Sequence, residues 1–255
     1  MLKFVKTTTM KNLLLFLGLL FISSCEITER VYIEENGDVS YATHVDLSQL
    51  MKMMPQEQKS EDLPIDTIYT VDELAKTDSE LKQSMGKGLE DEEERELMKD
   101  FSFHVKLDET TGFMNMFLEK KSLKEFNGFM NTFAKKLTQI NQKRQEENKS
   151  LPDSLQKPDI EIPIFSMPKL SYNGKTFKRK GEFRELPKES TSQTMDAQGL
   201  DDLIQFNLEY HFPKRVKSVS DENAKLSADG KTVYLSKPMK LVMKDPNAYD
   251  FEVKF

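Results

Sequence analysis

The sequence predicts an α+β fold: an antiparallel sheet built from hairpins, packed against one long amphipathic helix, with an acidic helical insert. Three observations carry this. Asn36-Gly37 and Asn173-Gly174 each separate two short β-prone runs, as a tight hairpin turn requires. Leu123, Phe126, Met130, Phe133, Leu137 and Ile140 recur at steps of three and four, drawing one apolar stripe along a helix over 122–147. Ile204, Phe206, Leu208, Tyr210 and Phe212 alternate with other residues at the period of a half-buried strand.

Residues 1–24 precede the fold as an address. Lys3, Lys6 and Lys11 make a positive start, and the apolar run Leu13–Ile22 follows, broken by Gly18. At 1.5 Å per residue that run covers about half of a hydrocarbon core, so it reads as a secretory leader rather than a membrane span. Ile22-Ser23-Ser24-Cys25 resembles the bacterial lipobox, and Cys25 is the only cysteine of the 255 residues. The resemblance implies cleavage between Ser24 and Cys25 and lipidation of Cys25, with palmitate among the acyl chains. Leader and composition together resemble lipoproteins of Bacteroidota-type bacteria. Glu26-Ile27-Thr28-Glu29-Arg30 lacks the consecutive acidic run that sends some of those proteins to the cell surface. The expected location is therefore the periplasmic face of the outer membrane. Residues 25–30 are expected to form a short tether, and 31–255 a single domain.

Arg30–Val45 reads as the first hairpin, with Val31-Tyr32-Ile33 and Val39–Val45 around a type I′ turn at Asn36-Gly37. A short helix over Leu47–Met54 stops before Pro55. Residues 56–100 hold 15 acids against 6 basic residues, and weak helical patterns over Val71–Met85 and Leu89–Lys99. With few apolar residues to bury, this insert is expected to dock loosely and be mobile. Phe101–Asp108 and Phe113–Leu118 form a second hairpin, and Ser122 caps the long helix. The two hairpin-then-helix runs suggest a repeated unit.

Pro152, Pro158, Pro163 and Pro168 keep 148–168 extended. Leu170-Ser171-Tyr172 and Thr176-Phe177-Lys178 flank the next turn, and Pro187–Gly199 reads as a flexible loop. Strands follow over Leu203–Phe212, Arg215–Val219, Thr232–Leu235 and Tyr249–Phe255. The stretch from Tyr210-His211-Phe212-Pro213 through Val216–Val219 to Ala228–Val233 resembles LppM-type domains of mycobacterial lipoproteins. That resemblance implies a membrane-anchored α+β module without an established catalytic centre.

A net charge of −6 argues against a nucleic-acid binder, which needs a positive footprint. One cysteine excludes an internal disulfide and a multi-cysteine metal cluster. His44, His104 and His211 lie far apart in sequence with no metal-ligand spacing, so neither metal nor cofactor is expected. Asp91-Glu92-Glu93-Glu94 lacks the glycine punctuation of a calcium loop, and Gly86-x-Gly88 lacks the third glycine of a phosphate cradle. No reactive cysteine or G-x-S-x-G elbow is present, so no catalytic residue is assigned.

Two surfaces remain as candidates for binding. Phe113, Met116, Phe126, Phe129, Met130 and Phe133 form a candidate apolar face for a lipid-like ligand or a partner. Lys175, Lys178, Arg179, Lys180 and Arg184 form a candidate basic patch for anionic headgroups or the protein's own acidic insert. The expected function is a non-enzymatic envelope lipoprotein that binds a protein partner or an apolar ligand. The alternative from another class is an envelope hydrolase using carboxylates that the sequence does not single out.

Overall fold

A computed structural model describes residues 26–48, 64–76, 92–149, 167–182, 205–238, 241, 245 and 247–255. The described chain is a mixed α/β protein made mostly of strands. In order these are β1 (Glu26–Ile33), β2 (Val39–Asp46), β3 (Ile65–Thr70), α1 (Val71–Lys76), α2 (Glu92–Met98), β4 (Phe101–Leu107), β5 (Gly112–Lys121), α3 (Leu123–Lys149), β6 (Met167–Tyr172), β7 (Thr176–Glu182), β8 (Gln205–His211), β9 (Ser218–Val219), β10 (Lys225–Leu226), β11 (Thr232–Pro238) and β12 (Phe251–Lys254). The leader, the expected helix beyond Ser48, the proline-rich run to Ser166 and the 187–199 loop lie outside the described residues.

Eight strands form one sheet in the order β10-β11-β8-β1-β2-β5-β4-β3, and four form a second, β6-β7-β12-β9. Antiparallel pairing dominates, as the hairpin signals predict. One pair departs from it: β1 lies parallel to β8, Glu26 beside Gln205 through Tyr32 beside His211. A hairpin cannot make that contact, so local turn signals are silent about it.

The first turn also differs from expectation. The Gly37 N–H donates to the Glu34 carbonyl at 3.0 Å, and Gly37 itself takes φ +86°. The left-handed residue follows the turn as a bulge, giving a three-residue loop instead of the two-residue type I′ form.

The insert contributes more to the fold than its charge suggests. β3 pairs with β4 from Ile65–Leu107 to Thr70–Ser102 and forms the edge of the large sheet. Val71, Leu74 and Leu97 are buried in the core. These residues, with Ala75 and Met98 packed beside them, dock α1 and α2, although acids dominate the composition. Thr70 and Glu73 bond reciprocally at the start of α1, as Ser122 and Glu125 do at α3; both are S/T-x-x-E capping boxes.

Over one half of the large sheet, α3 brings Phe126 within 5.8 Å of the Tyr41 ring, and Phe129 and Phe133 within 5.4 and 5.3 Å of Phe101. Over the other half lies the small sheet, where Phe177 and Phe251 meet the Tyr210 ring at 5.6 and 5.2 Å. Each buried Phe or Leu of this layer contributes about 1.5–3 kcal/mol.

Candidate functional site

Between the sheets sits an ion pair sealed from water. On β1 the inward positions are Ile27, Glu29, Val31 and Ile33, so the alternation that buries the apolar residues buries Glu29 as well. On β7 the same alternation takes Arg179 inward beside Phe177. Glu29 is 1% and Arg179 0% exposed. Arg179 donates from Nε to Glu29 Oε1 at 3.2 Å and to the Tyr210 hydroxyl oxygen at 2.9 Å, and from Nη1 to the Tyr249 carbonyl at 3.2 Å. Tyr210 donates its hydroxyl to Glu29 Oε1.

Burial opposes the Arg179 charge, but Glu29 beside it more than restores it and holds the guanidinium above its ordinary pKa. Burial, reinforced by the Glu29 charge, pushes the Tyr210 and Tyr41 phenols up. With every member sealed, no substrate can reach this network. The network bridges the two sheets, with Glu29 and Tyr210 from the large one and Arg179 from the small one.

The outer face of the large sheet carries all three histidines. His44 and His104 flank Asn115 on neighbouring strands, and both rings pack against Phe113, at 5.5 and 5.2 Å. His44 Nδ1 bonds Asn115 Oδ1 at 2.6 Å, and His104 Nε2 bonds Asp66 Oδ1 at 2.7 Å. That bond is the leading cause that holds the Asp66 carboxyl below its usual value.

His211 lies across the sheet, stacked on Tyr32 at 4.2 Å and bonded to Glu209 at 2.9 Å and Thr232 Oγ1 at 3.1 Å. Hydroxyl, imidazole and carboxylate thus occur in the connectivity of a nucleophilic relay. Thr232 is only 6% exposed, Tyr32 lies flat on the imidazole, and Glu209 is also bonded by Arg30 at 2.9 Å. The cluster reads as a closed surface network. Among the described residues no group of three or more His, Cys, Asp or Glu could hold a metal ion.

The candidate apolar face does not form one face. Phe126, Met130 and Phe133 are buried in the core, with Met116 and Phe129 packed against it. Phe113 points to the opposite side of β5, toward the histidines. The Phe/Met richness is therefore largely core filling in a chain without tryptophan.

The candidate basic patch is split as well. Lys175, Lys178 and Lys180 are exposed, and Lys178 pairs with Glu252 at 2.8 Å. Arg179 is the buried partner of Glu29, because alternate residues of a strand point to opposite faces. Arg184, Ser24 and Cys25 lie outside the described residues.

The N-terminal end of β1 is tied down from its first described residue. Glu26 is paired with Gln205, and Ile27 with Val45 and Phe206. Residues 26–30, expected as a tether, are part of a central strand. Around Glu26, the same end of the sheet carries Asp46–Ser48, the turn 108–111, Ile65 and Pro238. Asp108 accepts hydrogen bonds from the backbone N–H groups of Thr110 and Thr111, which lower its pKa and hold this turn closed. No described helix is long and apolar enough to cross a membrane.

No protein-family model matches the chain, and no curated protein matches it significantly. One solved structure is similar: the NMR structure of the folded domain of LppM from Mycobacterium tuberculosis. The similarity covers 90% of this chain and 88% of that one, at 11% identity and a TM-score of 0.35.

Proposed function

We propose that this chain is an envelope lipoprotein, anchored through acyl groups on Cys25, whose strand-rich domain binds a protein partner without catalysing a reaction. The observation that carries the reading is the leader: its lipobox-like end holds the chain's only cysteine, directly before the first strand of the domain. Two or three acyl chains, at about 0.8 kcal/mol per buried CH₂, hold a protein far more firmly than one myristoyl chain. The absence of an acidic run after Cys25 favours the periplasmic face of the outer membrane in a Bacteroidota-type cell. A protein partner is favoured over an apolar ligand because Phe126, Met130 and Phe133 already fill the core. The exposed Tyr32, Ile68 and Tyr234 all lie on the open face of the large sheet.

Two measurements test this. The N-terminal peptide of the membrane-extracted protein is expected to begin at Cys25 and carry acyl mass, and Cys25→Ala is expected to leave the membrane pellet on a carbonate wash. Native mass spectrometry after gentle release from its own membranes is expected to show a second polypeptide. An extra mass of lipid size beyond the anchor would favour the apolar-ligand reading instead, and a bare monomer would overturn partner binding.

A further inference from the structure

Resting on the lipoprotein reading, we infer that one end of the large sheet, the row Pro238–Gln205–Glu26–Asp46–Leu107–Ile65 with the turn 108–111, lies against the lipid surface. The rest of the domain then stands upright on it. The argument is one of reach. Glu26 is already held in the sheet by Gln205, and Ile27 by Val45 and Phe206. One peptide unit, about 3.8 Å between successive Cα atoms, is all that separates Glu26 from an acylated Cys25. A tether of that length cannot let the domain turn over.

The opposite end carries the turns that hold Lys175, Lys214, Arg215 and Lys231, all exposed. Lys214 Nζ donates to the Gly174 carbonyl at 3.3 Å, and the Phe255 N–H donates to the Lys175 carbonyl at 3.0 Å, which gathers these turns in one place. β1 spans eight residues, about 26 Å at 3.3 Å per residue. That separation exceeds two Debye lengths, about 8–10 Å each, at physiological salt. The cations therefore do not act on the anchoring membrane, and their end is presented away from it.

The membrane-facing end carries several acids. Glu26, Asp46, Asp108 and Glu109 lie there, and an anionic leaflet repels them. The opposite end is mixed in sign, since Glu34, Glu35, Asp38 and Asp229 lie there beside the lysines. The short covalent attachment, and not charge, imposes the orientation.

The test uses the full acylated chain in vesicles of phosphatidylethanolamine and phosphatidylglycerol doped with a headgroup spin-labelled lipid. Thr110→Cys or Lys175→Cys supplies the one free thiol for a fluorophore. Both positions are exposed. The expected result is several-fold stronger quenching at 110 than at 175, and a loss of that difference when ten flexible residues are inserted between Cys25 and Glu26. Equal quenching, or stronger quenching at 175 in the uninserted chain, overturns the orientation while leaving the anchor intact. An intact mass without acyl groups overturns the lipoprotein reading itself, and the orientation with it.

Discussion

The side-chain amide of Asn127 makes both backbone hydrogen bonds of Leu170, accepting from its N–H at 2.9 Å and donating to its carbonyl at 2.8 Å. β6 is an edge strand of the small sheet, and α3 thus supplies what a further strand would have supplied. Leu170 is 2% exposed, so these groups cannot turn to water instead. Asn127→Ala is expected to lower stability by about 1–3 kcal/mol in chemical denaturation. Asn127→Asp keeps the acceptor and loses the donor, and is expected to fall between the two.

Breaking the buried pair from one side should be far worse than removing it. Glu29→Gln or Arg179→Met alone leaves an uncompensated partner between the sheets, and each is expected to cost about 3–5 kcal/mol. The double variant Glu29→Gln with Arg179→Met is expected to cost well under the sum of the singles. A double-mutant cycle on urea midpoints measures this, and additive losses would show that the two charges do not act as a unit.

Within the acidic stretch, Leu74 is 0% and Ile68 65% exposed. Leu74→Ala is expected to cost about 2–5 kcal/mol, and Ile68→Ala no more than about 0.5 kcal/mol. Deletion of residues 64–76 is expected to lower the melting temperature, contrary to what a loosely docked insert would give.

Asp221 pairs with Lys237 at 2.8 Å. Burial raises the pKa of its carboxyl, but the bonds from Lys237 and Asn223 outweigh burial and leave it below its usual value. A carboxyl whose folded pKa is depressed adds stability above its unfolded value of about 3.9, and that stability vanishes as pH falls through the folded value. The melting-temperature gap between the native protein and Asp221→Asn is therefore expected to be widest near neutral pH and to narrow progressively as pH falls below about 3.9. A gap constant across that range would show that the pair does not contribute through charge.

Much of this fold is legible in the residues themselves. Hairpin turns at Gly37 and Gly174, the alternation that buries Phe101, Phe103 and Val105, and the capping pair Ser122–Glu125 are all local, and each has a short-range physical cause. What escapes is non-local. Nothing in Glu26–Ile33 announces a parallel neighbour some 180 positions away. Nor does a basic run of five residues announce that one of them turns inward. The available signal was modest: a lone acid with Ile27 and Val31 two places to either side, and an arginine two places after Phe177 on another strand. β3 hid behind composition, because its neighbours' charges outweighed the Ile65–Thr70 run in any average over 56–100.

The parallel seam has a consequence for how the chain comes to be folded. β1 closes quickly on β2, but its other edge waits for Gln205–His211, since Arg30 and Glu209 stand 179 positions apart. During synthesis the first described strand to emerge is therefore among the last to be covered, and such distant closures are slow. Until then its open backbone can pair with any passing strand. A chain cut short before residue 205 keeps that open edge permanently and also leaves the Glu29 carboxylate without Tyr210. Such fragments are expected to self-associate, whereas chains that reach Phe255 do not.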